Sequence, residues 1–263
     1  TVPSRGYEVR AKKVRAVGSL ELESMPMPFP SSDKVVGILK ETIEKLGGYF
    51  PALTQTMSPE HREKLYELCR RVQLASKLDE AEHTSWPACL SVLVKRIDAI
   101  PTDQDDEKIL EELIDPWLAA AGSLKKVHLL EIVTNTLSAE QRSRLQKDYP
   151  VHIQAPDGSL IPISYSTDPP SVSAKLQQFF GTSESPMIGP SHNPIRLSLS
   201  LQSPAGKVVA QTMDLNFFWT TVYPQVRAEL RGRYAKHPWP EDPTTAVATR
   251  QTKKQLIAME ANQ

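Results

Sequence analysis

The chain has 263 residues, 31 basic and 31 acidic side chains, and a hydrophobic fraction of 40%. This length allows one or two domains with substantial cores. No apolar run approaches the roughly 18 residues that a membrane-spanning helix needs, which argues against a helical membrane protein. A net charge of zero argues against a uniformly basic nucleic-acid binder.

Charge is uneven along the sequence. Residues 103–115 carry seven acidic side chains against Lys108. The first 20 residues carry a basic excess, with only Glu8 opposing Arg5, Arg10, Lys12, Lys13 and Arg15. Either both regions are ordinary solvated surfaces, or the basic segment faces phosphate while the acidic segment faces away or docks on a basic neighbour.

The two cysteines, Cys69 and Cys89, fall in amphipathic helical patterns. Buried reduced thiols are therefore expected, rather than a disulfide or a metal pair. The start at Thr1 lacks an initiator Met and an apolar signal core, which is typical of an internal start. We expect a reducing compartment, cytoplasmic or organellar, and no secretion.

Residues 1–30 predict a β element followed by a proline-rich linker. The β-prone residues between Val9 and Leu22 are interrupted by Gly18, which indicates two short strands. Prolines at positions 26, 28 and 30 then exclude a helix.

Residues 31–148 show helical periodicity and predict a block of six helices. The predicted starts are Ser32 or Asp33, Ser58, Trp86-Pro87, Asp105 or Asp106, Ser123 and Ser138. Several carry capping signals, such as Ser138 with Gln141 three residues later. Pro116 is expected to kink or restart the fourth helix, with Asp115 as its cap and Trp117 in the apolar stripe.

Residues 149–263 predict a small α+β unit. The Pro156-Asp157-Gly158 turn indicates a hairpin, Ser171 is expected to begin a short helix, and strict alternation over 195–201 indicates a strand. Asp214 is predicted to cap a helix that Pro224 interrupts. The tail after Pro243 is polar and is expected to fray.

Together these patterns predict an α+β chain: an N-terminal β element, a helical middle block and a small C-terminal α+β unit. Strands flank the helical block on both sides. The first 24 residues are therefore candidates to complete the later sheet, for example as an OB-like barrel with a helical insertion.

Catalytic motifs are missing from the sequence. It has no Gly-x-x-x-x-Gly-Lys-[Ser/Thr] loop and no Asp-Glu-Ala-His box, so the phosphate cradle and magnesium ligands of an NTPase are absent. The six histidines lack metal-ligand spacing, and there is no Gly-x-Ser-x-Gly elbow. We expect no catalytic residue, no metal site and no cofactor within this segment.

The stretch 231–243 alternates cations, aromatics and prolines without a helical or strand period. Its X-Pro steps favour extended backbone at His237, Trp239 and Asp242. Cations that neutralise phosphates, next to aromatic rings that stack on bases, are the combination found in single-stranded RNA binders. The candidate RNA-binding residues are Arg231, Arg233, Tyr234, Lys236, His237 and Trp239, with Arg10, Lys12, Lys13 and Arg15 from the basic N-terminal strands.

A structural interpretation of the same stretch is also open. Trp239 could fill a pocket, while the arginines pair with Glu229, Glu241 or a neighbouring domain. The two interpretations are compatible, because an anchored tryptophan leaves outward-facing arginines free.

The stretch 231–243 resembles the C-terminal signature of HrpB-type DEAH-box ATP-dependent RNA helicases. The resemblance includes Asp-Leu-Asn-Phe-Phe-Trp at 214–219 and Arg-Ala-Glu-Leu at 227–230. Upstream it extends through residues 203–207, 176–181 and 156–159, with weaker similarity at 9–14 and 18–22.

The resemblance implies an accessory, non-catalytic C-terminal region that positions RNA or the motor while a separate segment hydrolyses ATP. In that family ATP and magnesium belong to the motor. The implied partners are RNA, expected to be single-stranded, and helicase motor domains in cis, without a membrane. The alternative is a motor-less structural or interaction module of a ribonucleoprotein complex. The sequence therefore leaves open whether the chain belongs to an enzyme.

Overall fold

The computed structural model describes residues 12–17, 20–26, 32–78 and 85–260, with the backbone alone for 12–17, 20–26, 259 and 260. The chain divides into two compact units, Thr1–Arg142 and Ser143–Gln263. The first contains mainly helices and the second a mixed sheet with flanking helices, which confirms the predicted α+β class. The predicted three-part division at residues 30 and 148 stays a prediction.

Two N-terminal strands form a hairpin. Strand β1 (Lys12–Val17) runs antiparallel to β2 (Leu20–Pro26), with Lys13 opposite Met25 and Val17 opposite Leu20. Among the described strands these two pair only with each other. The expectation that they complete the later sheet is therefore wrong, and the OB-like arrangement stays a prediction.

The helical unit follows most of the predicted periodicity, but the helix Tyr49–Thr54 was not predicted, and the helix expected to begin at Ser123 begins at Leu129. Its helices are α1 (Ser32–Lys45), α2 (Tyr49–Thr54), α3 (Pro59–Leu78), α4 (Ala88–Ile97), α5 (Gln104–Ala121), α6 (Leu129–Thr136) and the start of α7 (Ala139–Asp148), with a 3-10 turn at Leu124–Lys126. The core positions that are at most 2% exposed include Leu39, Ile43, Leu65, Leu93, Leu110 and Ile114. Cys69 and Cys89 are buried free thiols, as predicted, and burial raises the pKa of Cys69 to about 12.

Helix α5 continues through Pro116, so the expected restart with Asp115 as cap is wrong, and the alternative of a kink stays a prediction. The proline is exposed, whereas Ile114 and Leu118 on either side are fully buried. The packing of these two side chains holds the helix across one missing backbone hydrogen bond. Trp117 is 47% exposed, so its predicted place in the core is wrong.

The acidic run forms ion pairs inside the helical unit. Asp106 Oδ1 lies 2.8 Å from Lys95 Nζ on α4, and Glu111 Oε1 lies 2.7 Å from Lys40 Nζ on α1. Lys40 also pairs with Asp115, and these carboxylates raise its pKa. Several of the acidic residues therefore neutralise cations of neighbouring helices.

The C-terminal unit is built on a five-stranded sheet. Its strands are β3 (His152–Gln154), β4 (Leu160–Ser164), β5 (Ser171–Lys175), β8 (Ser198–Gln202) and β9 (Val208–Thr212), in the order β3-β4-β5-β8-β9. The β5–β8 pair is parallel and the other pairs are antiparallel. A separate ribbon joins β6 (Met187–Ile188) to β7 (Ile195–Arg196).

Strand β5 replaces the short helix that was expected to begin at Ser171. Val172 and Ala174 are buried and Ser173 between them is exposed, which is the alternation of a strand. The helical part is limited to a 3-10 turn at Leu176–Phe179.

A broken helix follows the sheet. It consists of α8 (Leu215–Phe217), a π-helical segment Phe218–Val222 and α9 (Tyr223–Arg233). Asp214 caps it as predicted, its Oδ1 accepting from the Phe217 backbone N–H at 2.9 Å. The predicted break at Pro224 is displaced toward the N-terminus: Pro224 itself lies in the first turn of α9, where a missing N–H is tolerated, and the irregular segment precedes it. Among the described residues, no helix has the length and apolar character needed to cross a bilayer.

Candidate nucleic-acid interface

The predicted RNA-binding stretch divides into a helical part and an extended part. Arg231 and Arg233 lie on the last turn of α9, so the expectation that the whole stretch lacks regular structure is wrong for them. Residues 234–243 then form a non-helical segment, here called the strap. Helix α9 ends at Arg233, five residues before the first proline of the strap.

Trp239 lies at the centre of the strap and is only 8% exposed. Its ring Nε1 donates a hydrogen bond to the Tyr234 carbonyl at 3.1 Å. A buried indole with its polar group satisfied is the arrangement expected of a packing anchor. The geometry favours the structural interpretation for this residue.

The strap is held mainly by its carbonyl groups. Proline has no backbone N–H, so a proline-rich segment offers acceptors more than donors. The Pro238 carbonyl accepts from Gln177 Nε2 at 3.2 Å, and the Trp239 carbonyl accepts from Arg227 Nε at 2.9 Å. The Pro240 carbonyl accepts from Tyr223 OH at 2.9 Å, and the Pro243 carbonyl accepts from the Gly181 backbone N–H at 2.9 Å. The strap is thereby fixed to the 3-10 turn, to Gly181 shortly after it and to α9.

An aromatic cluster formed by Phe180, Phe218, Trp219 and Tyr223 adjoins these contacts. The Phe180 ring centroid lies 5.9 Å from that of Trp219 and 6.2 Å from that of Tyr223, in tilted and edge-on arrangements. Burial raises the pKa of the Tyr223 phenol, which stays protonated and donates to the strap. The Asp-Leu-Asn-Phe-Phe-Trp motif therefore contributes Phe218 and Trp219 to the core, whereas Phe217 is 56% exposed.

A second group of contacts joins the 156–159 turn to the tail. The Asp157 carboxylate, 5% exposed, accepts from the Ser159 backbone N–H at 3.0 Å and from Gln178 Nε2 at 3.3 Å. Arg250 Nε lies 3.3 Å from the same carboxylate. The Thr249 N–H donates to the Gln177 carbonyl at 2.9 Å, and α10 (Lys253–Glu260) follows. The expected fraying directly after Pro243 is wrong, because these contacts fasten the tail.

Gly181 shows why the tail can approach so closely. Its φ is +80°, and a Cβ at this position would lie 3.0 Å from the Ala246 carbonyl oxygen. Glycine adopts this left-handed conformation without steric cost and leaves room for the tail.

Three of the predicted cations point to solvent. Arg231, Arg233 and Lys236 are all exposed. No carboxylate within the described part of the chain forms an ion pair with any of them. The sequence predicted that these arginines could pair with Glu229 or Glu241. Glu241 pairs with Arg227 on α9 instead, with Arg227 Nη2 3.3 Å from Glu241 Oε1.

The other two aromatic candidates are only partly available. Tyr234 and His237 are half-buried, and the His237 backbone N–H donates to the Tyr234 carbonyl at 3.0 Å. Burial, followed by the nearby Lys175 ammonium, lowers the pKa of His237. Its imidazole is therefore held mainly neutral and is a weak partner for phosphate.

The N-terminal candidates belong to the other unit. Lys12, Lys13 and Arg15 lie on β1, where Arg15 is opposite Glu23 in the register. Arg10 lies outside the described residues. These positions stay predictions as RNA contacts.

Sequence reasoning missed the residues that position the strap. Gln177, Tyr223 and Arg227 each donate to a strap carbonyl, yet they are 12 to 61 residues away in the sequence. Gln177 is 1% exposed, and a glutamine in an otherwise apolar run is the one local signal that could have indicated a buried hydrogen bond. Among the described residues no group of three His, Cys, Asp or Glu side chains could hold a metal ion.

Comparison with known proteins agrees with this architecture. Residues 114–243 match the family model HrpB_C, described as ATP-dependent helicase C-terminal. The chain is 31% identical over 247 residues to the ATP-dependent RNA helicase HrpB of Escherichia coli strain K12. The aligned region covers 90% of this chain and 27% of the relative. The chain therefore spans about a quarter of that relative's length.

Two solved structures are also similar. The crystal structure of the E. coli DExH-box NTPase HrpB matches with a TM-score of 0.62 and 26% identity, over 92% of this chain and 28% of that one. The crystal structure of the Escherichia coli DEAH/RHA helicase HrpB matches in fold with a TM-score of 0.53 and 23% identity, over 88% and 27%. The resemblance identified from the motifs is confirmed. The chain belongs to the family of HrpB-type helicase C-terminal regions.

Proposed function

We propose that this chain is a non-catalytic accessory region of an HrpB-like RNA helicase, and that it positions RNA relative to motor domains in cis. The observation that carries the proposal is the set of three exposed cations, Arg231, Arg233 and Lys236, which have no carboxylate partner among the described residues. They flank a backbone held by four side-chain or backbone donors. Cations on a fixed backbone bind phosphate with less loss of conformational entropy.

A purely structural account of the two arginines is also available. Cations at the C-terminal end of a helix are stabilised by its dipole, and Arg231 and Arg233 lie on the last turn of α9. This account does not cover Lys236, which lies in the strap beyond the helix. The RNA proposal explains all three by one property, their access to an incoming phosphate chain.

The aromatic side chains have different proposed roles. Trp239 is the anchor of the strap, since its ring is buried. Tyr234 and His237 keep part of their surface exposed and can stack on bases at the edge of the contact. Arg10, Lys12, Lys13 and Arg15 are proposed as a second set of phosphate contacts.

A salt titration of RNA binding tests the proposal. Two or three phosphate contacts on a single strand predict a log-log salt slope of about −1.4 to −2.1 from this segment, at roughly 0.7 per contact. Replacing Arg231, Arg233 and Lys236 together by Gln should flatten the slope by that amount and leave the melting temperature unchanged. A duplex RNA of the same length should bind more weakly than the single strand.

The matched control is a second triple-Gln variant. Lys147, Lys207 and Lys254 are also exposed cations of the C-terminal unit. Their replacement removes the same total charge but should leave the slope nearly unchanged. Equal flattening by both variants would indicate diffuse attraction and reject a contact at the strap.

ATP and magnesium are proposed to bind elsewhere in a longer protein, because this segment lacks the phosphate-binding loop. A thermal unfolding experiment with saturating Mg-ATP should show no increase in melting temperature, since a ligand stabilises only a state that binds it. An increase of several degrees would contradict the accessory role.

The second candidate function is a motor-less structural or interaction module. It is favoured by one observation: the family motifs at 156–159, 176–181 and 214–219 are used largely in internal contacts. If neither the strap variant nor wild-type chain binds RNA measurably, this second function replaces the first.

A further inference from the structure

The helical unit contains a cavity whose lining residues belong neither to the ion pairs of the acidic run nor to the strap. Its volume is about 830 Å³, and it lies between the α2–α3 turn and the first two turns of α6. Met57, Val127 and Leu130 contribute apolar surface. Cavities of roughly 300–1,000 Å³ with apolar walls and a few convergent polar groups are typical of small-molecule sites.

The polar groups at this cavity are diverse and available. His61, Lys125, Glu131 and Asn135 all line it and are all exposed. Within the described residues, no ion pair involves Lys125 or Glu131 and no side-chain hydrogen bond involves Asn135. The cavity thus presents an ammonium, a carboxylate, an amide and an imidazole around an apolar floor.

The orientation of His61 is set by Ser58. The Ser58 hydroxyl accepts from the His61 backbone N–H at 3.3 Å and lies 2.6 Å from the ring Nδ1. The hydroxyl can donate to Nδ1 or accept from it, according to the tautomer of the ring. In either case the contact orients the imidazole, which is exposed and offers a flat face for stacking.

Three of the polar residues at this cavity lie on α6 or shortly before it. Lys125 precedes α6, Glu131 is on its first turn and Asn135 is one turn further. At 1.5 Å per helical residue, Glu131 and Asn135 lie about 6 Å apart along the helix axis. A cation at one end, and an amide and a carboxylate toward the other, match the phosphate and the base edge of a nucleotide.

We infer that this cavity binds one unstacked nucleotide of a single-stranded RNA, with Lys125 at the phosphate, His61 against the base and Glu131 and Asn135 at its hydrogen-bonding edge. The inference rests on the proposed RNA-binding function but uses a different site. An apolar protein side chain is the competing occupant. It would use Met57, Val127 and Leu130 but would leave the amide, carboxylate and ammonium without partners.

The test compares two fluorescently labelled single strands of equal length, one with all its bases and one with abasic positions. Fluorescence anisotropy on the 263-residue chain should give tighter binding of the base-containing strand by about tenfold, within the range measured for one stacked base. Asn135→Ala should reduce this ratio severalfold and leave the affinity for the abasic strand unchanged. Lys125→Gln should weaken the binding of both strands severalfold.

Lys126→Gln is the matched control, because Lys126 is exposed and adjacent but does not line the cavity. It should change either affinity by less than twofold. Circular dichroism of each variant checks that these surface substitutions leave the fold intact.

The outcomes separate the two proposals. If Asn135→Ala and Lys125→Gln change nothing while the triple-Gln variant at 231, 233 and 236 weakens binding, the cavity inference is wrong and the proposed function stands. If the cavity variants act and the triple-Gln variant does not, the cavity is the RNA site and the strap is structural. If the wild-type chain binds neither strand, both proposals fail.

Discussion

The two units of this chain are stabilised in different ways. In the helical unit, the buried positions recur at helical spacing, and ion pairs such as Lys40–Glu111 join neighbouring helices at the surface. In the C-terminal unit, Trp239 and the strap carbonyls depend on donors such as Gln177 and Arg227 from other elements. Helical order is thus coded locally, whereas the strap depends on partners brought together by the rest of the unit.

The largest expected effect is on the central strand of the C-terminal unit. Leu199 on β8 is fully buried between two neighbouring strands. Leu199→Asp places a charge in that core and should lower the free energy of unfolding by about 4 kcal/mol or more. Chemical denaturation monitored by tryptophan fluorescence should show loss of the C-terminal unit.

Ser198→Asp is the control on the opposite face of the same strand, where Ser198 is half-buried. It should cost about 1 kcal/mol or less. Equal damage from the two substitutions would show that both faces of the sheet exclude water.

Two tryptophans provide the sharpest contrast between the units. Trp239→Ala should lower the free energy of unfolding by about 3 to 5 kcal/mol, as for a buried Trp, because the ring is 8% exposed and anchors the strap. Trp117→Ala on α5 should cost about 0.5 kcal/mol or less, since that ring is 47% exposed. A stable Trp239→Ala variant that loses RNA affinity would instead support stacking by Trp239.

The capping box of α7 tests local coding. The Ser138 hydroxyl accepts from the Gln141 N–H at 3.1 Å, and Gln141 Oε1 accepts from the Ser138 N–H at 2.8 Å. Ser138→Ala should cost about 1 kcal/mol, a typical loss for an N-cap. Ser138→Asp should recover most of the stability, because its carboxylate accepts the same bond.

The smallest expected effect is a pH dependence from His237. Because its pKa in the folded chain is lowered, the folded state binds fewer protons than the unfolded state near the ordinary value of about 6.5. The stabilisation is therefore complete above that pH and declines as pH falls toward the folded pKa. Urea denaturation at several pH values should show a steeper loss below pH about 6.5 for wild type than for His237→Gln. Parallel curves for both proteins would reject the contribution of His237.

Some features were predictable because their causes are short-range. The starts at Ser58 and Ser138, the Asp214 cap and the 156–159 turn follow from residues within four positions of one another. The cations of the candidate interface were also recognised from the sequence, because residue type and local charge density can be observed without knowing any tertiary contact.

The sequence by itself therefore determined the α+β class, most helix starts, the hairpin turn and the family. The tertiary structure decided that Ser171–Lys175 is a strand, that α5 continues through Pro116 and that Trp239 is buried. The physical reason is that these outcomes depend on contacts between residues distant in the sequence. Strand β5 is selected by its parallel partner β8, and the strap by donors on α9 and beside β5.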